Sequence, residues 1–261
     1  MIARVVVSVG VFAALTALER RFRLRPVRHR ANRRLVINLA VGTIAFGLVA
    51  IAHGTIVVGA VALAERHHVG IVRWLGLPPM VAAPVVMVLL DYTLWVWHWL
   101  NHRVPGLWRF HAAHHADLDL DASTALRFHP GELTLSLPFR ALQVVVIGAS
   151  LAPLVAWEGL VFVLVVFHHS NLRLPAPLDA ALGQIMITPR LHGIHHSRHP
   201  AELHRNFGTL LSIWDRLHGV RVTMVSQETI DIGLPQQANE HALGIRASLA
   251  LPFQRVAPPS A

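Results

Sequence analysis

The chain has 261 residues, of which 54% are hydrophobic and only 14% are charged. A soluble domain usually carries about 25% charged residues, so this balance argues against a water-soluble domain and favours an integral membrane protein. The formal net charge is +9, and the lack of cysteine excludes thiolate-bound metals, disulfides and cysteine-held iron–sulfur clusters.

The first predicted element is an apolar run over residues 2–18, just long enough for a membrane helix, which needs roughly 17–25 residues. The sequence Glu19-Arg20-Arg21-Phe22 after it is unlike a signal-peptide cleavage site, so we expect an uncleaved anchor. Eight arginines between positions 20 and 34 then predict a cytoplasmic loop beside anionic lipid head groups. Nucleic acid is not an expected partner, because no aromatic-interleaved basic platform accompanies these arginines.

Two longer apolar runs follow, over residues 35–63 and 81–100. The former exceeds the length of one span and has His53-Gly54 near its middle, so we expect a helix that is tilted or broken there. The latter ends in Trp95-Val96-Trp97-His98-Trp99, and such aromatic residues concentrate where a span meets the interface. It also contains Asp91, which we take to be the only acid within a span and therefore a candidate functional residue.

A fourth apolar region covers residues 137–167 and is interrupted by Ala152-Pro153. Proline starts helices well and continues them badly, so we predict two helices that turn there, as a hairpin or a re-entrant segment. Beyond Pro175 the composition is typical of a soluble cap, and residues 234–261 are expected to be poorly ordered. These boundaries predict an N-terminal transmembrane region at 1–80, a catalytic domain at 81–220 and a C-terminal tail at 221–261.

Eight of the 19 histidines form three regularly spaced sets. The sets are His98-x3-His102, His111-x2-His114-His115 and His192-x2-His195-His196. Spacings of three and four place side chains on one face of a helix, and neutral imidazole is the commonest transition-metal ligand. A structural zinc ion needs only four ligands, so eight histidines predict a two-metal centre. Isolated histidines such as His53 are interpreted as surface residues.

The arginine loop and the histidine sets give the same topology by independent arguments. If residues 20–34 are cytoplasmic, the second span exits and the third returns, so His98 and His102 lie at its cytoplasmic end. The hairpin starts and finishes on that side. We therefore expect all three sets to meet at the cytoplasmic face of a membrane, which we take to be a bacterial inner membrane. The absence of lysine favours a GC-rich bacterial source.

These sets resemble the histidine boxes of the fatty acid hydroxylase/sterol desaturase superfamily of integral-membrane diiron proteins. The resemblance covers roughly residues 81–220. It extends to Ser123-Thr-Ala-Leu-Arg-Phe-His-Pro130 with Glu132, to Phe167-His-His-Ser-Asn171, to Asn206-Phe-Gly208 and to Trp214-Asp-Arg-Leu217.

The resemblance implies an all-α membrane bundle, with about four spans or three spans plus a re-entrant hairpin, and a cytosolic helical cap holding a dinuclear site. It implies two non-haem iron ions (zinc being a possible occupant in purified protein), dioxygen, and electrons from a separate ferredoxin- or cytochrome-like donor with a reductase. The product would be a hydroxylated or desaturated lipid derived from a sterol, fatty acyl or related apolar chain.

Carried over by position, the resemblance makes all eight box histidines metal ligands. His169 is the expected ninth ligand, with His168 beside it as the alternative. Asp91, His129 and Asn171 are candidate catalytic residues, His129 being closer to an outer partner than to a ligand. Asp91, Asp119 and Asp121 are candidate acceptors for imidazole N–H groups. Phe207 stands where many relatives have tyrosine.

Two other functions remain open at this point. A membrane protein that transports or sequesters metal would place polar residues along several spans. A non-redox zinc hydrolase on the same scaffold would need a nearby carboxylate as general base and an open coordination position.

Overall fold

A computed structural model of the chain describes residues 2–234 and 244–254. In those residues the regular structure is helical and strand contacts are limited to isolated bridges, so the all-α prediction is confirmed. The helices are α1 Ile2–Arg21, α2 Ala31–Arg66, α3 Ile71–Trp74, α4 Pro79–Arg103, α5 Pro105–His115, α6 Pro130–Ile147, α7 Leu151–His169, α8 Ala176–Leu182, α9 Pro189–His195, α10 Pro200–Leu203, α11 Ile213–Leu217 and α12 Ile245–Ala250. Short 3-10 helices lie at Ala122–Leu126 and Leu251–Phe253.

Three helical segments of the described chain are long and apolar enough to cross a membrane: Ala31–Trp74, Pro79–Arg103 and Leu151–His169. Large apolar side chains point outward along them, as Val36, Ile51 and Met80 show with exposed fractions of 63%, 84% and 90%. Such faces are stable against lipid and not against water. The protein is therefore an integral membrane protein.

The second span is one continuous helix, and the predicted break at His53-Gly54 does not occur. A glycine inside a helix costs only about 1 kcal/mol, whereas an open helix in lipid would leave backbone groups without partners. At 36 residues, α2 is roughly 54 Å long and exceeds an apolar layer of about 30 Å. Its first turns consequently extend out of the membrane into the cap.

The α6–α7 connection turns at Gly148, a few residues before the predicted position at Ala152-Pro153. Gly148 ends α6 with a φ of 77°, in the left-handed region that favours glycine. Its backbone packs directly against that of Gly70, where any side chain would collide. Pro153 lies in the first turn of α7, where proline is tolerated.

The apolar core lies between α2, α4, α6 and α7. Val57, Leu90, Val144 and Trp157, one from each of these helices, belong to a single buried cluster. Because lipid tails are as apolar as these side chains, close packing rather than the hydrophobic effect holds this part together.

The cap is joined to the membrane helices by a buried polar network centred on Arg34. Arg34 donates to Asp117 and Asp121 at 2.6 Å each, and Asn38 donates to Asp117 at 2.8 Å. Arg127 then donates to Asn38 at 2.9 Å. Burial alone would raise the pKa of Asp117, but the charge of Arg34 holds it well below its ordinary value. The network fixes the start of α2 against the loop that follows α5.

Part of the predicted disordered tail is helical and packed. Arg127 donates to Ser248 in α12 at 2.7 Å, and Arg109 donates to the carbonyl of Pro252 at 2.7 Å. Leu251 is buried in one cluster with Trp108 of α5. Residues 235–243 and 255–261, which the same prediction covers, lie outside the described residues.

Candidate metal centre

All nine histidines predicted as ligands come together in two groups. The first histidine group contains His98, His102, His111, His115 and His195. The second histidine group contains His114, His169, His192 and His196. Within each group, one ring nitrogen per residue lies within 4.8 Å of all the others.

Helical spacing explains how two helices each supply both groups. On α5, His111 and His115 are one turn apart and join the first group, while His114 points to the second group. At α9 the arrangement is reversed: His192 and His196, the residue directly after the helix, join the second group, and His195 joins the first. Each HxxHH box is therefore divided between the two groups.

The other histidines of the two groups come from the ends of two membrane-length helices. His98 and His102 lie one turn apart at the end of α4, and both belong to the first group. His169 is the last residue of α7 and belongs to the second group. The centre consequently lies at one end of the bundle, where the spans meet the cap.

Two imidazoles of the second group face each other without a hydrogen between them. His114 Nδ1 contacts the carbonyl of Arg127 at 3.2 Å and His169 Nδ1 contacts that of Val165 at 2.8 Å, so each Nδ1 must carry the proton. Both Nε2 atoms of the neutral rings are then bare lone pairs, yet they lie 3.0 Å apart. Two imidazole nitrogens that share a metal ion at about 2.0–2.1 Å are separated by roughly this distance. A bound cation would therefore turn a repulsive contact into a stabilising one.

The same spacing continues through the second group. His192 Nε2 lies 3.0 Å from His169 Nε2 and 3.1 Å from His196 Nε2. A chain of hydrogen bonds cannot satisfy all four rings, because His114 and His169 have no proton at Nε2 to donate. The four nitrogens fit one metal ion.

The first group shows the same pattern of outer contacts and inward lone pairs. His98 Nδ1 and His195 Nδ1 contact the carbonyls of Phe207 and Arg205, each at 2.8 Å. His111 Nδ1 contacts Glu132 Oε1, also at 2.8 Å. Neither nitrogen of buried His102 has a hydrogen-bond partner in the described structure, nor does His195 Nε2. An unsatisfied buried polar atom costs roughly 1–3 kcal/mol, which coordination would remove.

Burial keeps these rings in the form that binds metals. It lowers the pKa of His114, His115, His192, His195 and His196 well below the ordinary value, and neighbouring histidines lower it further. The imidazoles are therefore neutral near pH 7, with lone pairs available for a cation.

The structure distinguishes the adjacent His168 and His169. His169 Nε2 lies among the nitrogens of the second group, whereas His168 is not a member of either group. His168 Nδ1 instead contacts the carbonyl of Thr209 at 3.1 Å, and its ring lies beside that of His192, with centroids 4.1 Å apart and an interplanar angle of 45°. This geometry favours His169 as the ninth ligand.

Asp91 does not hydrogen-bond to an imidazole of either group, contrary to one of its predicted roles. Its carboxylate accepts from the backbone N–H groups of Leu210 and Leu211 at 3.2 Å each and from Trp214 Nε1 at 2.7 Å. These contacts attach the cap segment after Phe207 to α4. Asp91 thereby supports the carbonyls that contact His98 and His168.

Asp119 and Asp121 likewise accept hydrogen bonds from groups outside the two histidine groups. Asp119 accepts from the backbone of Arg28 and His29, and Asp121 caps the 3-10 helix and accepts from Arg34. The expectation that these carboxylates contact the imidazoles is therefore corrected: Asp119 holds the α1–α2 connection, and Asp121 holds the start of α2, against the cap.

His129 and Asn171 are engaged in local structure. His129 caps α6 by accepting from Gly131 N at 2.9 Å, which requires the proton on Nε2, and Nε2 contacts the carbonyl of Leu249 at 3.1 Å. Both nitrogens are thus occupied without metal. Asn171 exchanges two hydrogen bonds with the backbone of Arg25, at 2.8 and 3.0 Å. Their catalytic assignment has no support from these contacts.

Two contacts were missed at the level of sequence. Glu132 was noted there only as part of the motif after Pro130, and its contact with His111 was not predicted. Glu158 is a second acid within a span and lies 3.2 Å from His53, so Asp91 is not the only one. His53 is consequently half-buried and paired, not a surface bystander.

Comparison with known proteins gives a consistent result. The sequence model of the fatty acid hydroxylase family matches residues 83–220, a range that contains all nine histidines of the two groups. An ornithine lipid hydroxylase, OlsE of Rhizobium tropici, is 34% identical over 197 residues, which cover 74% of this chain and 56% of that protein.

More distant relatives carry other names. Human alkylglycerol monooxygenase is 27% identical over 130 residues, covering 50% of this chain and 28% of that protein. Rat cholesterol 25-hydroxylase is 26% identical over 165 residues, covering 57% of this chain and 52% of that protein. The chain thus spans from about a quarter to just over half the length of these relatives. No solved structure matches the chain.

Proposed function

Because the chain belongs to the fatty acid hydroxylase family, we propose that it hydroxylates a membrane lipid at a centre of two iron ions held by the two histidine groups. The observation that carries the proposal is the pair of bare Nε2 lone pairs of His114 and His169, 3.0 Å apart and sealed from water. Such a contact is stable only with a cation between the rings.

The ligand set suits iron. Nine imidazoles and no thiolate match a first-row transition metal, and calcium or magnesium would require oxygen ligands. Two bound iron ions would supply the reduction of dioxygen and the insertion of one oxygen atom into a C–H bond. The second oxygen atom leaves as water, and two electrons and two protons balance the reaction. Hydroxylation is favoured over desaturation because the relatives are named hydroxylases and monooxygenases.

The position of the centre supports a lipid as substrate. His98, His102 and His169 lie in the last turns of helices of membrane length, so a chain lying in the bilayer reaches the ligands without entering water. The cap covers the centre from the other side and buries eight of its nine rings. The protein's own residues thus bind the lipid beside the ions and exclude water.

The end of α1 and the α1–α2 connection support a cytoplasmic orientation and an external electron donor. Their exposed side chains include Arg20, Arg21, Arg23, Arg28 and Arg30. Arginine-rich short loops favour the cytoplasmic side, and an acidic ferredoxin- or cytochrome-like protein would be attracted to this face.

The test is lipid analysis of a bacterial host that expresses the protein under isotopically labelled dioxygen. We expect a lipid with one additional labelled oxygen atom, present with the wild-type chain and absent with His195→Ala at equal membrane abundance. A label from water instead of dioxygen, together with zinc and no iron in the purified protein, would favour the zinc hydrolase. Unchanged lipids with cellular metal accumulation would favour metal transport.

A further inference from the structure

Glu132 is the carboxylate that contacts a predicted metal ligand, and its surroundings are unlike those of an ordinary structural acid. It is 5% exposed, and its Oε1 lies 2.8 Å from His111 Nδ1. Its Oε2 has no hydrogen-bond partner, and in the described part of the chain no arginine lies within ion-pair distance of it. A buried carboxylate without a compensating cation is strongly disfavoured.

The first turn of α6 places Glu132 in contact with His111. His129 caps α6 and thereby sets the direction of its first turn, in which Glu132 lies. Gly131 packs against the ring of Phe110, where any side chain would collide. Because Phe110 precedes His111 in α5, this glycine contact brings α5 and α6 together at His111 and Glu132.

The outer contacts of the two histidine groups differ in charge. His98, His114, His169 and His195 contact backbone carbonyls, which are neutral. The Nδ1 atoms of His192 and His196 have no partner in the described structure. Among the described contacts, a negative charge therefore adjoins the first group through His111 and does not adjoin the second group.

We propose that Glu132 is a positioning residue that fixes His111 as a ligand and gives the first histidine group a negative charge that the second group lacks. An ion on His111 Nε2 polarises the ring, so the Nδ1–H bond to Glu132 becomes stronger and the buried carboxylate gains its missing countercharge. Outer carboxylates of this kind raise the basicity of a ligating imidazole and strengthen metal binding. The two ions are consequently inequivalent, the ion of the first group being bound more tightly and reduced at a lower potential.

This inference rests on the proposed function, and its test does not require the lipid substrate. Glu132→Gln retains the size and the oxygen that accepts from Nδ1–H, and removes only the charge. The matched control is Glu228→Gln, an exposed acid in the cap. Iron-loaded full-length protein in detergent is challenged with a chelator, the ions released are counted over time, and the reduction potentials are followed by Mössbauer spectroscopy during titration.

Wild-type protein and the Glu228→Gln control should release their two ions in a fast and a slow phase. Glu132→Gln should accelerate the slow phase about 10–100-fold, the usual effect of losing an outer partner, and should raise the potential of one ion. A purely structural role would not move the potential. If Glu132→Gln does not insert into the membrane, the wild-type protein alone provides the test. Release of its two ions in a single phase, as equivalent ions, would overturn the proposal.

Failure of this inference can be distinguished from failure of the proposed function. Release kinetics and potentials of Glu132→Gln identical to those of wild type would overturn the role of Glu132 and leave the two-ion centre intact. Wild-type protein that binds fewer than two ions would overturn both.

Discussion

Both histidine groups take imidazoles from α5 and α9, but they differ in the number of imidazoles and in the outer contacts of their rings. The first group has five imidazoles, two of them from α4, and contacts Glu132. The second group has four imidazoles, one of them from α7, and its described outer contacts are backbone carbonyls. Catalytic metal sites leave a coordination position open, so the smaller group is the better candidate for the ion that meets dioxygen. Because α5 and α9 contribute histidines to both groups, a displacement of either helix would disturb both groups.

The largest effect is expected from removing one ligand of either group. His114→Ala in the second group and His195→Ala in the first should each reduce hydroxylated product on the order of 100-fold or more, above the typical effect of an outer partner. Iron content of the purified variants and product per chain measure the effect. Retention of two ions in either variant would contradict the ligand assignment, and exposed His67→Ala is the matched control.

A large loss of stability is expected from Arg34→Met. The substitution leaves buried Asp117 and half-buried Asp121 without the Arg34 cation, and breaking a buried ion pair such as Arg34–Asp117 typically costs about 3–5 kcal/mol. Since the network reaches Arg127, whose carbonyl contacts His114, the second group should lose its ion first. Thermal unfolding in detergent and metal counts would test this, with exposed Arg33→Met as the control. Equal stability of the two variants would contradict the account.

Asp91→Ala should act mainly on the first group. It removes three hydrogen bonds that hold the segment after Phe207, whose carbonyl contacts His98. Loss of hydrogen bonds to a charged group costs about 1.5–3 kcal/mol each at most, and relaxation of the segment reduces the sum. We expect one of the two iron ions to leave the protein faster than in the wild type when a chelator is added. Loss of the second group's ion alone would contradict the comparison.

The smallest effect is expected from His53→Ala, which lies far from both groups. Its partner Glu158 is eleven residues before His169, or roughly 16 Å along α7. Polar pairs within membranes contribute about 0.6 kcal/mol on average, so stability should change little and metal content not at all. A variant that loses iron would show that the membrane pair supports the centre.

The sequence predicted which histidines come together because helical spacing is local. The i and i+4 spacing of His98 and His102, and the HxxHH spacing on α5 and α9, depend only on 3.6 residues per turn. How each HxxHH box divides between the groups depends on the rotation of α5 relative to α9, which spacing does not determine. The contact of Glu132 with His111 likewise depends on the packing of Gly131 against Phe110, a tertiary feature.

Errors in the predicted fold have the same origin. Composition alone favoured a disordered C-terminal tail, but burial of Leu251 beside Trp108 and the bond from Arg127 to Ser248 order residues 244–254. Asp91 was correctly identified as an unusual acid in a span. Its partners, however, are two backbone N–H groups and the side chain of Trp214, all more than 110 positions away.

The most direct test of the central claim is a metal count on full-length protein purified from iron-supplied cells. The account predicts two iron ions per chain for the wild type, with zinc able to occupy the same two positions when iron is scarce. His192→Ala and His102→Ala should each lower that count. One ion per chain, or a count of two that neither substitution changes, would contradict the assignment of a two-ion centre to the two histidine groups.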